Sequence, residues 1–164
     1  MKIITPQDFF QTFKDKHILL DTSAFIDAFL NPVQFGDFFN KLKDHKTTLV
    51  SLDAVKIEFL KGAPNIEKYN QKEKFFDQII EICLPTTNET YDNLYKLIQA
   101  YKEDGKSLSV TDLFLGATIM QYKESLLLLT KNTTDFPTSI FNLQSYINIS
   151  YNKGLHVYGI YSFT

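Results

Sequence analysis

The sequence predicts a layered α/β domain with a mostly parallel central sheet. Three observations predict it. Short, continuously apolar runs such as Ile18-Leu19-Leu20 and Leu126-Leu127-Leu128-Leu129 read as strands buried on both faces. Amphipathic stretches with helical spacing lie between such runs. The two kinds of segment alternate along the chain, as repeated βαβ units require. Its 164 residues fit one domain around one core, and no long linker, repeat or low-complexity tract interrupts them.

The elements are expected in the following order. Thr5-Pro6-Gln7-Asp8 has the form of a helix start, with proline at the first helical position and an acid in the first turn. A short helix to about residue 13 would make residues 1–17 a helical extension before the first strand. Residues 17–20 form that strand. A helix over 22–30 follows, with Ala24, Phe25, Ala28 and Phe29 near helical spacing. Asn31-Pro32 breaks it, and a second helix runs to about 46. A strand over 47–52 leads into a short helix, 54–61, stopped by Gly62. Helix 67–81 turns Phe75, Phe76, Ile79 and Ile80 inward. A short strand, 82–85, precedes helix 89–102, which ends before Asp104-Gly105. Helix 109–123 carries Leu113, Ala117 and Met120 on one stripe, and strand 126–129 follows. In the tail, 138–164, Asn152-Lys153-Gly154 reads as a turn between strands 146–151 and 156–163. Right-handed crossovers place the strand ends that precede helices on one edge of such a sheet.

Composition narrows the function. The 44% hydrophobic and 22% charged content is that of a soluble globular chain. No apolar run approaches the roughly 20 residues that span a bilayer. The first residues, Met1-Lys2-Ile3-Ile4-Thr5-Pro6, lack the apolar core of a signal peptide. With Cys83 as the lone cysteine, the expected location is the reducing cytoplasm, with no membrane partner. The net charge of −2 gives no global footprint for nucleic acid. Every basic residue is Lys, so bidentate guanidinium clamps on phosphate are absent.

Four acids stand where strands or loops hand over to helices: Asp21, Glu58, Asp112 and Asp135. Carboxylates at the carboxyl ends of strands in an α/β sheet can converge on one crevice. Converged carboxylates repel unless a proton or a hard cation joins them, and Mg²⁺ or Mn²⁺ suits oxygen ligands. Each acid also has a plainer role open to it. Asp21 has the position of a helix N-cap. Ser109-Val110-Thr111-Asp112 reads as a capping box. Glu58 sits where a solvated helical side chain would, and Asp135 has the setting of a turn residue.

Taken together, the stretches resemble the PIN-domain nucleases, in particular the VapC-type toxin ribonucleases. Four features carry the resemblance, in the family's order: Leu20-Asp21-Thr22-Ser23, Glu58-Phe59-Leu60-Lys61-Gly62, Ser109 to Asp112 with Gly116-Ala117 behind it, and Thr130-Lys131-Asn132 with Asp135-Phe136. The resemblance implies a three-layer α/β/α sandwich and metal-binding, catalytic roles for Asp21, Glu58, Asp112 and Asp135. It implies that Thr22 or Ser23 supports the first acid and that Thr130 and Asn132 shape the last loop. It further implies Mg²⁺- or Mn²⁺-dependent endonuclease activity on RNA, a small antitoxin partner and a homodimer. The long segment before the first strand and the long tail depart from the compact toxins.

Lys56 and Lys61 flank Glu58 and are candidates for touching substrate phosphate, while Lys68, Lys72 and Lys74 read as a solvated face. The histidines, His17, His45 and His156, lack zinc-motif spacing and read as surface or packing residues. Cys83 reads as a buried apolar residue. No phosphate-cradling glycine loop occurs, and Ser23 stands where an aspartyl phosphatase needs a second acid. One member of each pair Phe9-Phe10 and Phe38-Phe39 is expected to pack rather than to stack bases. The Tyr-rich tail is expected to form an edge hairpin or part of a dimer contact. The leading expectation is thus a toxin ribonuclease. An RNA-processing or quality-control nuclease of the same fold, or a non-catalytic interaction module with structural acids, are the alternatives.

Overall fold

The computed structural model describes residues 1–103, 105–151 and 154–164. Seven strands form one sheet: β1 (Lys2–Ile4), β2 (His17–Leu20), β3 (Thr48–Leu52), β4 (Ile82–Leu84), β5 (Leu126–Thr130), β6 (Asn142–Tyr151) and β7 (Gly154–Ser162). Seven α-helices accompany them: α1 (Phe9–Thr12), α2 (Thr22–Leu30), α3 (Pro32–Asp44), α4 (Asp53–Lys61), α5 (Ile66–Ile79), α6 (Asn88–Glu103) and α7 (Val110–Tyr122). The strand order is β1-β6-β7-β5-β2-β3-β4. The strands β5, β2, β3 and β4 are mutually parallel, and antiparallel pairing is confined to the flank of β7, β6 and β1.

Burial explains the parallel centre. Ile18, Leu19 and Leu20 of β2 and Leu126 to Leu129 of β5 are buried throughout, so both faces of these strands are covered. Alternation along β7 shows the two covering layers. Tyr158 meets Phe35 of α3, with ring centroids 6.5 Å apart. Three residues on, Tyr161 points to the opposite face and meets Phe136 at 5.9 Å. Behind Phe136, Phe141 approaches Gly116 of α7. The result is the expected α/β/α sandwich. Phe25 of α2 joins α4 and α5 by ring contacts to Phe59 and Phe76 at 5.5 and 4.7 Å.

Several local expectations need correction. Residues 1–17 are not simply a helical extension. Lys2–Ile4 is an edge strand paired with β6, and the helix is a single turn whose N-cap position is Asp8, not Thr5. That turn holds Phe9 and Phe13 in the core beside Phe38. Both Phe38 and Phe39 are buried, so neither is free to stack on a base. Cys83 is exposed, on β4 at the edge of the sheet. The helix α7 buries a continuous run, Leu115 to Ile119, rather than one stripe. Lys72 is not merely solvated: its Nζ donates to the Phe59 carbonyl at 2.8 Å.

The tail hairpin forms as expected. Of the proposed turn, Asn152 and Lys153 lie outside the described residues, as does Asp104 after α6. The register gives the hairpin its position. Thr130, the last residue of β5, pairs with Gly159, whereas β7 starts at Gly154. Five residues of β7 therefore extend about 16 Å past the carboxyl end of β5. Among the described residues, no helix is long and apolar enough to cross a membrane.

Candidate functional site

The site is built at the carboxyl ends of β2 and β5. The Asp21 amide donates to the Leu129 carbonyl, so Asp21 extends the β2–β5 ladder by one residue before α2 begins. Its backbone carbonyl accepts from the amides of Ala24 and Phe25 and so starts the helix. The side chain is left free of capping duty and makes no cap bond. Its Oδ2 instead accepts from the Ser23 hydroxyl at 2.8 Å and the Thr130 hydroxyl at 2.7 Å. Asp21 is only 5% exposed, and burial pushes its carboxyl above the usual range. The two hydroxyls oppose that shift, and Glu58 adds to it.

Thr130 ends β5 fully buried, at 0% exposure. Its hydroxyl donates to Asp21 and accepts from the Asn132 amide at 2.9 Å, so both its capacities are used. The Asn132 side-chain amide then donates to Asp135 Oδ2 at 2.5 Å. A turn bond from the Asp135 amide to the Asn132 carbonyl closes the loop. The hydroxyl of Tyr101 on α6 pins the Asp135 carbonyl. The first and fourth acids are thus joined through Thr130 and Asn132, the two residues expected to shape this loop.

Glu58 reaches the site from α4. Its side chain is exposed, and Oε2 accepts from the Thr22 hydroxyl at 2.5 Å. The pair Thr22-Ser23 therefore serves two acids: Ser23 steadies Asp21 and Thr22 steadies Glu58. Asp112 lies in the first turn of α7. Of the expected capping box the N-cap bond forms, with Ser109 Oγ accepting from the Asp112 amide at 3.1 Å. The same hydroxyl donates to Asp112 Oδ2 at 2.6 Å. Burial raises the Asp112 carboxyl to about 6; Ser109 opposes the shift, and the charges of Asp21, Asp135 and Glu58 add to it. The other three acids are therefore within electrostatic reach of Asp112, and Glu58 within reach of Asp21. Among the described residues, no Lys or His forms an ion pair with any of the four.

The lysines beside Glu58 go elsewhere. Lys56 pairs with Asp77 at 2.8 Å and lies over the Phe76 ring. Lys61 is exposed at the end of α4, beside a surface hollow shared with Ile66 and Tyr69. Neither is brought to the acids by a bond in the structure.

One acid escaped the sequence reading. Asp27 is 7% exposed on α2, among the buried residues Ala24, Phe25 and Ala28. Its Oδ2 accepts from Lys131 Nζ at 3.2 Å and from the Tyr158 hydroxyl at 2.7 Å, and His156 Nδ1 stands 3.8 Å away. The signal was present: an acid on the inward stripe of an apolar helix must find partners.

The sequence profile of the PIN domain matches residues 18–136, which contain all four acids and both ends of the Asp21–Asp135 chain. The chain belongs to the PIN domain family. Members of this family are generally nucleases. One similar solved structure is a chain of VapBC2 from Rickettsia felis bound to a DNA fragment from their promoter. It shares 17% identity, and the alignment covers 72% of this chain and 89% of that one with a TM-score of 0.62. At that identity the likeness is one of fold. No curated protein matches the sequence. The match does not extend over residues 1–17 and 137–164, which hold the β1–α1 segment and the long hairpin.

PIN nucleases generally use divalent ions. The donor chemistry here fits such an ion. All four acids offer hard carboxylate oxygens, burial and then the charges of Asp21, Asp135 and Glu58 raise the Asp112 carboxyl, and among the described residues no Lys or His is ion-paired with them. Among the described residues, however, no three His, Cys, Asp or Glu side chains are drawn together into a ready-made metal cluster. Each acid is turned to a hydroxyl or amide neighbour instead.

Proposed function

We propose that this chain is a Mg²⁺- or Mn²⁺-dependent endoribonuclease that hydrolyses RNA phosphodiesters and acts as the toxin of a toxin–antitoxin pair. One observation carries the reading: four carboxylates within electrostatic reach at one sheet edge, unpaired by any described lysine or histidine. Asp21 and Asp112 would hold the principal cation. Glu58 would complete that shell or orient the attacking water. Asp135 would hold a second ion or position the water. When bound, a hard divalent cation activates water and neutralises charge developing on the phosphoryl oxygens.

The chain's own residues set the geometry around that chemistry. Ser23 and Thr130 fix the aim of Asp21, Thr22 fixes Glu58, Ser109 fixes Asp112 and Asn132 fixes Asp135. Such supporting bonds hold ligands in place and typically matter almost as much as the ligands do. With every basic residue a Lys, the RNA backbone would be held by the cation, by lysine charges and by backbone amides.

The VapBC2 neighbour supports an antitoxin partner, a small protein whose tail would block the acidic pocket. A cytoplasmic homodimer completes the reading. The segments outside the PIN match favour a second reading, an RNA-processing nuclease without an antitoxin. Incubating the pure protein with single-stranded RNA, with Mn²⁺ or with EDTA, tests the activity. Cleavage that requires the ion and is lost in Asp112→Asn supports it, and chelator-resistant cleavage opposes it. A short reading frame beside the gene, whose product binds and inhibits the protein, separates the two biological roles.

A further inference from the structure

We propose that Tyr158, supplied by the tail hairpin outside the PIN match, is a positioning residue that holds the Asp21 turn against the Thr130–Asn132 loop. The hydrogen bonds form a linked chain. The Tyr158 hydroxyl donates to Asp27 Oδ2 at 2.7 Å, with the Ser23 carbonyl, 3.1 Å away, as its alternative acceptor. Lys131 Nζ donates to the same Asp27 oxygen at 3.2 Å. The Lys131 amide returns to the Ser23 hydroxyl at 3.4 Å, and that hydroxyl donates to Asp21 at 2.8 Å. Removing the Tyr158 hydroxyl therefore takes one of the two bonds that orient Asp27, the acceptor of Lys131, and so acts on the loop through Asp27.

The surroundings explain why one phenol can do this. Tyr158 is fully buried and its ring rests on Phe35, so its orientation is set by packing before any hydrogen bond forms. Burial, and then the Asp27 charge, hold its hydroxyl far above the ordinary phenol range, so it remains a donor. The Tyr151 hydroxyl is also buried nearby, and burial, then the Asp27 charge, raises it. Tyr158 is the hairpin tyrosine with the 2.7 Å bond to Asp27 Oδ2, and Asp27 ties it to Lys131 of the loop after β5. The hairpin can stand there because its register carries β7 past the end of β5. For its catalytic consequence the proposal rests on the nuclease reading; for its structural content it does not.

The test compares wild type with Tyr158→Phe, which removes the hydroxyl and keeps the ring, and with Tyr146→Phe, an exposed tyrosine of the same hairpin, as control. Amide exchange of the metal-free protein is the first readout. In Tyr158→Phe the Lys131 and Asn132 amides should exchange about tenfold faster, with Leu127 to Leu129 unchanged. Mn²⁺ affinity, read from the free-ion electron resonance signal without RNA, should fall about tenfold. Cleavage of single-stranded RNA should lose about tenfold in kcat with KM held. Tyr146→Phe should match wild type in all three. A folded Tyr158→Phe with wild-type exchange and wild-type Mn²⁺ affinity overturns the proposal and leaves the nuclease reading intact. If wild type neither binds Mn²⁺ nor cleaves RNA, the nuclease reading falls and the exchange result alone decides the positioning claim. Should Tyr158→Phe fail to fold, Asp27→Ala removes the acceptor that Tyr158 and Lys131 share and is read by the same criteria.

Discussion

Replacing Asp112 by Asn should make the metal-free protein more stable, not less. The folded carboxyl lies at about 6, raised first by burial and further by Asp21, Asp135 and Glu58. In the unfolded chain it would titrate near the ordinary value of about 3.9. Between these values the folded state binds more protons than the unfolded one, so stability falls as pH rises through the window and the penalty is complete above it. The full difference corresponds to about 3 kcal/mol, and partial solvent exposure reduces it to about 1.5 kcal/mol. Asn keeps the amide that Ser109 caps and an oxygen that can accept the Ser109 hydroxyl, so the helix start survives. At neutral pH in EDTA, Asp112→Asn should therefore melt about 3–6 °C above wild type by calorimetry, given about 2–4 °C per kcal/mol for a chain of this length. Near pH 4.5 the gap should largely close. Excess Mn²⁺ should reverse the order, because an ion at a hundred times its Kd stabilises wild type by about 2.7 kcal/mol and the variant by far less. A variant that is destabilised equally at both pH values would refute the reasoning. It would make the carboxylate a helix cap and nothing more.

Thr130→Val keeps shape but strips a hydroxyl used in both directions. Asp21 loses one of its two hydroxyl donors and the Asn132 amide loses its acceptor. The expected loss is about 1–3 kcal/mol, seen as a lower Tm in EDTA, with Mn²⁺ affinity down about tenfold by titration. An unchanged Tm would mean that this hydroxyl bridges nothing. Gly116→Val should destabilise by about 1–3 kcal/mol, since overpacking a filled core forces its neighbours to move. A Cβ there would stand 2.9 Å from Leu97 Cδ1 and 3.2 Å from Phe141 Cζ. Gly116→Ala should cost less, because the end of Leu97 can yield, and calorimetry of the two variants checks the order. Acidification through the Asp112 range, to below about 6, should weaken Mn²⁺ binding as protons compete for that carboxylate, which a binding titration across pH will show.

Much of the parallel core was legible because its strands are short, wholly apolar runs between amphipathic helices. Asp21, Asp112 and Asp135 were legible because each stands near a strand end or helix start beside hydroxyl residues, and Glu58, inside α4, only through its place in a recognisable order. What escaped depended on contacts distant in sequence. The strand Lys2–Ile4 has no pattern of its own and exists because β6, well over a hundred residues later, offers it an edge. Cys83 looked buried by composition, yet edge position decides exposure and a strand's place in the sheet is not local information. The sequence offered Thr22 or Ser23 to Asp21 without choosing, and the first turn of α2 points the Ser23 hydroxyl at Asp21 and the Thr22 hydroxyl at Glu58. Lys56 looked poised beside Glu58, but on α4 it faces Asp77 of α5. Asp27 had an interpretable signal, a charge on an apolar stripe, and its partners came from β7 and the loop after β5.

Crystals soaked with Mn²⁺ and measured at its anomalous edge test most directly whether the acids serve one ion. A peak within coordination distance of the Asp21 and Asp112 carboxylates, with Glu58 or Asp135 turned from Thr22 or Asn132 toward it, is the predicted result. Full soaking that leaves those oxygens on their hydroxyl and amide neighbours, with no peak between them, would contradict the account.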